Sequence, residues 1–130
     1  MQASLDDCMG QRWEEAFRAH LRRLAASGQL GDVVAVGRYW SGGTDEIDAV
    51  CLGGRERAAV LVGEAQRARR MHAAARESAL TRKSAALPRA RDRLRVARCA
   101  RDEVIGAAPS TWALTAADLF GGVDGQLTEP

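Results

Sequence analysis

The sequence contains no asparagine and a single lysine, Lys83, against eighteen arginines. That one-sided choice, with its many alanines, suits a GC-rich coding sequence, so the abundance of arginine does not by itself announce a nucleic-acid partner. No stretch approaches the roughly 20 apolar residues of a membrane-crossing helix. Met1 to Gly10 lacks the basic and apolar regions of a secretory signal. Cysteine is scarce and odd in number. Cys8, Cys51 and Cys99 have no C-x-x-C spacing, which argues against a disulfide frame or a zinc site and for idle thiols in a reducing compartment, the cytoplasm. A net charge of +2 is too small to point to a polyanion on its own. No internal repeat or long low-complexity linker interrupts the chain.

What is present reads as one α/β domain over residues 1–130, with an ordered core of about 5–120 and a tail at 121–130. Trp13, Phe17, Leu21 and Leu24 recur at helical spacing, which predicts an amphipathic helix over Met9–Ser27, with Asp6 and Asp7 at its start and Gly28 at its end. Three apolar runs follow: Val33–Trp40, ending at the Ser41-Gly42-Gly43 turn; Glu46–Leu52, which alternates; and Ala58–Ala65, apolar enough to be buried on both faces. Gly53-Gly54-Arg55 reads as the hairpin turn between the second and third. Ala73–Leu87 is a second helix stopped by Pro88. Arg93–Ala100 alternates as a fourth strand, and Trp112-Ala113-Leu114 is a short strand before a helical turn opened by Thr115. This alternation predicts a mixed central sheet flanked by two helices.

Asp48 lies inside the second strand and Glu64 at the end of the third. Side chains alternate along a strand, so Glu46, Asp48, Val50 and Leu52 are expected on one face, and Val60, Val62, Glu64 and Gln66 on one face of the next. A turn closing near Arg55 or Glu56 gives paired residues an even index sum, which sets Asp48 and Glu64 on the same face unless a bulge intervenes. Two such carboxylates suit Mg²⁺, which takes oxygen ligands, activates water and offsets charge on a phosphate. Glu14, at the border of the first helix's apolar stripe, is placed to join them; Glu15 lies toward solvent. The plainer alternative is that these acids face solvent or are satisfied by nearby arginines.

The segments LDDCMGQRWEEAFRAHL, VVAVGRYW, DEIDAV, VLVGEAQ and LTRKSAALP resemble the C-terminal domain attached to archaeal-type and bacterial AAA+ (DEXX-box) ATPases, a domain grouped with the PD-(D/E)xK nuclease-like superfamily. The resemblance runs from about Leu5 to Phe120. The ATPase part is absent, since there is no GxxxxGK[ST], so the chain reads as an isolated domain or as a fragment of a longer gene product. The resemblance implies a restriction-endonuclease-like α-β-β-β-α-β core, with Asp48 as the first acid of the motif, Glu64 as the second and Glu14 as a helix acid joining them. It also implies Mg²⁺ as cofactor, with DNA, an AAA+ ATPase domain or a second copy as partner. Gln66 departs from the motif, which has lysine there. Glutamine hydrogen-bonds but carries no charge, so the implied function is a DNA-interacting domain with a degenerate site, cutting feebly at most. The alternative is a non-catalytic interaction or oligomerisation domain.

Four further features carry a plainer reading beside the functional one. Lys83, at helical spacing from Leu80 and Leu87, is expected to snorkel at the domain edge and miss both acids, although the cationic role can migrate to this helix. Arg67, Arg69, Arg70 and Arg76 either steer a phosphate backbone or form a solvated loop. His20 and His72 lack ligand spacing. Trp40 and Trp112 either stack bases or pack in the core.

Overall fold

The computed structural model describes residues 5–41 and 45–121. The first helix, α1, spans Leu5–Ala26, taking Asp6 and Asp7 into its first turn rather than leaving them ahead of it. Its stripe is the one the spacing predicts: Trp13, Phe17, Leu21 and Leu24 are all buried. The helix closes in a Schellman turn. The Gly28 N–H donates to the Ala25 carbonyl at 3.1 Å and the Gln29 N–H to the Leu24 carbonyl at 3.0 Å. This turn requires the positive φ of 82° at Gly28, which a residue without Cβ adopts freely.

A meander follows: β1 (Val33–Ser41), β2 (Asp45–Gly53) and β3 (Ala58–Ala65). Every residue of β3 is buried, as its apolar run requires. The chain then forms β4 (Arg70–His72), α2 (Ala73–Ser84), β5 (Ala90–Cys99), β6 (Glu103–Ile105) and β7 (Trp112–Leu114), with a last helical turn at 116–121. The main sheet has the order β1-β2-β3-β5-β7. The β1–β2 and β2–β3 pairs are antiparallel, and β3–β5 and β5–β7 are parallel. The mixed sheet flanked by helices is therefore present; with β4, which lies outside the main sheet, set aside, the order from α1 to β5 is α-β-β-β-α-β. No described helix is long and apolar enough to cross a membrane.

The sheet's two faces carry separate cores. Phe17, Leu21, Ala49, Cys51, Leu61 and Ala97 pack under α1. Ile47, Val50, Ala59, Val62 and Leu80 pack under α2. Gly63 sets the height of α1: a Cβ there would stand 2.7 Å from the Phe17 ring and 3.2 Å from the Ala97 carbonyl oxygen. The ring rests directly on the β3 backbone, and Glu14, one turn before Phe17, is thereby brought down toward the sheet.

Several expectations are corrected. Strict alternation along β2 fails: Ile47 and Val50 share one core, because the β1–β2 register slips between Gly37 and Tyr39. The helix predicted to reach Leu87 ends at Ser84. Its last turn tightens, with Ala86 and Leu87 N–H donating to the Lys83 and Ser84 carbonyls at 3.1 Å, ahead of Pro88, which disfavours helix at the residue before it. The fourth strand starts at Ala90 rather than Arg93, since Ala59 pairs with Ala90. Trp40 is 67% exposed rather than core, while Trp112 packs against the first core. The parallel β4–β6 pair was not expected at all. The turn residues Gly42 and Gly43, and the tail from 122, lie outside the described residues.

Candidate metal and anion site

The β2–β3 register fixes the first two acids. Ala49 pairs with Gly63 and Val50 with Val62, an even index sum, but the pairs beside the turn, Gly53 with Ala58 and Leu52 with Ala59, give an odd one; the slip between Cys51 and Leu52 changes the parity. The expectation that the turn sets Asp48 and Glu64 on one face is corrected accordingly: Asp48 stands with Glu14 of α1 and Glu64 with Arg76 of α2. Ala49↔Gly63 is the last pair, so β2 and β3 part at Asp48 and Glu64. There Asp48 takes over a ladder position: its Oδ2 accepts from the Ala65 N–H at 2.9 Å.

On one side of this split, Glu14, Glu46 and Asp48 each present an oxygen within 4.8 Å of the others. Burial pushes the Asp48 carboxyl above its usual range. The Ala65 N–H opposes this, the charges of Glu46 and Glu64 add to it, and the Lys83 charge draws it back. Glu14 is likewise raised, by burial first and then by Asp48 and Glu46, against Arg18 and Arg38. Arg18 reaches from α1 to donate to the Asp48 carbonyl at 2.8 Å.

On the other side, Glu64 lies outside the three-acid cluster. It is 5% exposed and ion-paired with Arg98, its register partner on β5 and itself 1% exposed. Arg76 of α2 approaches the other Glu64 oxygen at 3.6 Å. Arg98 extends to Glu77 at 3.3 Å. Gln66, with its amide oxygen turned toward α2, accepts from Nη2 and Nη1 of Arg76 at 2.9 and 2.7 Å. Lys83 is half-buried and its ammonium makes no hydrogen bond or ion pair among the described residues, yet its charge is felt at Asp48.

Of the four site residues expected from sequence, Glu14 and Asp48 thus converge with each other, and Glu64 and Gln66 converge on Arg76. Glu46 joins the first pair; alternation had already set it on the same face as Asp48. Arg98 had no local signal, because only the parallel β3–β5 register brings it to Glu64. The loop arginines are largely engaged: Arg69 with Asp102 at 3.0 Å and Arg70 with Glu103 at 3.5 Å. His20 contacts Arg23 through Nδ1 at 3.3 Å, and burial, then the Arg23 charge, lowers its pKa. His72 is exposed at the start of α2. Neither belongs to the acid cluster. Cys51 and Cys99 are buried free thiols, pushed by burial to about 11 and about 12, so they stay protonated and inert.

The three acids offer hard oxygen donors whose mutual repulsion a divalent cation relieves, and that donor chemistry fits Mg²⁺.

A family model describing archaeal and bacterial proteins of unknown function, DUF234, matches residues 1–77. That span includes Glu14, Glu46, Asp48, Glu64 and Gln66, and it stops short of Lys83 and Arg98. No curated protein and no solved structure matches the chain.

Proposed function

The chain belongs to the DUF234 family, and we propose that it is a nuclease-like, DNA-interacting domain with a degenerate Mg²⁺-dependent site, an accessory to an AAA+ ATPase. One observation carries this reading: Glu14, Glu46 and Asp48 converge within 4.8 Å where β2 and β3 part. The α-β-β-β-α-β order supports it. These three residues would hold the cation, which when bound supplies water activation and phosphate charge neutralisation. The Ala65 N–H fixes one Asp48 oxygen, and Arg18 ties α1 to the β2 backbone beside it. The degeneracy follows from the neighbours. Gln66 carries no charge and is engaged by Arg76, and Glu64 is neutralised by Arg98 and Arg76. Neither is free to move a proton or add a ligand.

Plasmid nicking in Mg²⁺ or Mn²⁺ tests the reading. Wild type is expected to nick feebly, Asp48→Ala to abolish nicking, and Gln66→Lys to raise it by restoring a cation near the phosphate. Robust cutting that survives Asp48→Ala overturns the site.

The second reading, a non-catalytic interaction or oligomerisation domain, is favoured by a separate observation. Beyond the end of α2, a cleft of about 720 Å³ has Tyr39, Val50, Leu52 and Leu87 in its wall. Light scattering that shows a dimer in wild type and a monomer in Leu52→Arg would support it.

A further inference from the structure

Beside the acids lies a second feature of opposite charge. Glu14, Arg18 and Arg22 follow one another at i, i+4 and i+8 on α1, so they form one stripe along the helix. That stripe and Arg38 of β1 line a cleft of about 430 Å³, with Glu15 and Gly37 completing its wall. The two arginines at its mouth are held loosely. Arg38 stands 3.9 Å from Glu46, and Arg22 donates to the Val36 carbonyl at 3.2 Å. Both side chains are exposed. Arg18, at the floor, is 8% exposed and donates to the Asp48 carbonyl. It has no carboxylate partner among the described residues. One of its five donors is taken by that carbonyl, and the others are open to an acceptor in the cleft.

The formal charges decide what such a cleft accepts. Four carboxylates, Glu14, Glu15, Glu46 and Asp48, stand with three guanidiniums. A divalent cation on the acids leaves the ensemble with one positive charge. A ligand that bridges cation and guanidiniums must therefore be anionic and rich in oxygen acceptors. Phosphate meets both demands, and arginine matches it in geometry as well as charge. Because the outer arginines are exposed, the cleft can be reached by a phosphate that belongs to a long chain. We propose that Arg18, Arg22 and Arg38 form the phosphate-binding half of the site, and that its ligand is a phosphodiester of a nucleic-acid backbone held between them and the divalent cation. This rests on the metal-site reading above and adds the residues that position the substrate.

The test separates the two. Mn²⁺ binding is followed by electron paramagnetic resonance, and binding of a fluorescent oligonucleotide by anisotropy in Mg²⁺, with wild type, Arg38→Ala, Arg22→Ala, Arg38→Lys, Asp48→Asn and a distant control, Arg93→Ala. Arg38→Ala and Arg22→Ala are expected to keep Mn²⁺ and to weaken the oligonucleotide by about tenfold each, the loss of one charge-assisted contact. Each should also lower the slope of log K on log salt by about one. Arg38→Lys should recover part of the affinity, Arg93→Ala should change nothing, and Asp48→Asn should lose Mn²⁺. Mn²⁺ binding with oligonucleotide affinity indifferent to Arg22 and Arg38 overturns the proposal and leaves the metal reading standing. Inorganic phosphate broadening or shifting the Mn²⁺ resonance while no oligonucleotide binds also overturns it. No Mn²⁺ signal in wild type sinks the metal reading, and this proposal with it.

Discussion

Two acids face each other across the parting of β2 and β3, and they are treated in opposite ways. Glu64 is the more deeply buried, and two guanidiniums meet it: Arg98, also buried, and Arg76 at 3.6 Å. Asp48 is less buried but stands with Glu14 and Glu46 and has one backbone N–H as its hydrogen-bond donor. The first is a charge balanced within the fold. The second is a charge left unbalanced, at a cost the fold tolerates only where something else completes it. The sharper functional hypothesis therefore belongs to the Asp48 side, although sequence pattern alone gave the two acids equal standing.

The largest effect expected is at the balanced side. Removing Arg98 with Arg98→Ala leaves the buried Glu64 carboxylate with only Arg76, at 3.6 Å, and should cost about 3–5 kcal/mol in urea unfolding. The double variant Glu64→Gln/Arg98→Met should recover much of that loss, because the charges left, Arg76 and Glu77, reach solvent. A loss below 1 kcal/mol for Arg98→Ala would mean that the pair is not buried as described.

Next in size is the contact that brings the unbalanced side together. Gly63→Ala inserts a methyl group 2.7 Å from the Phe17 ring, an overpacking worth about 1–3 kcal/mol. Because Phe17 must lift, Glu14 should move away from Asp48, so Mn²⁺ affinity should fall in the folded variant too. Unchanged metal affinity would show that the height of α1 does not govern the cluster.

The smallest effect is a pH dependence. Glu14 binds its proton more tightly in the folded state than its ordinary value of 4.5. Between those two values the folded state holds more protons than the unfolded one. Stability contributed by this group is therefore full below pH 4.5 and lost as pH rises through the raised value. Glu14→Gln should raise the thermal midpoint at pH 7 in the absence of divalent cations, and its advantage over wild type should vanish as pH falls below 4.5. Saturating Mg²⁺ should erase or reverse that advantage at pH 7, since the cation stabilises the wild-type carboxylate cluster. A variant less stable than wild type at pH 7 without metal would break the comparison.

The legible part of the fold was the part with local period. The stripe Trp13–Phe17–Leu21–Leu24 and the continuous apolar run of β3 are properties of short windows, and both elements formed where expected. Hairpin parity was not legible: the turn closes on an odd index sum, and the slip between Cys51 and Leu52 that makes it even at the acids leaves no mark in the local pattern. The β4–β6 pair was not, because two three-residue strands joined across more than thirty residues leave no periodic trace. Trp40 misled because a large aromatic at a strand end signals burial only on average.

The candidate site divides along the same line. The sequence by itself determined that Asp48 and Glu64 would flank one hairpin and that Glu14 would border the helix stripe, since each follows from spacing within an element or across one turn. The tertiary structure alone decided which acid is neutralised and which is not. That choice depends on Arg98 arriving through a parallel crossover, on Arg76 descending from α2, and on Phe17 seating on Gly63 to lower Glu14. Charge balance falls off within a few ångströms, and only the packed fold sets distances that fine between residues far apart in the chain.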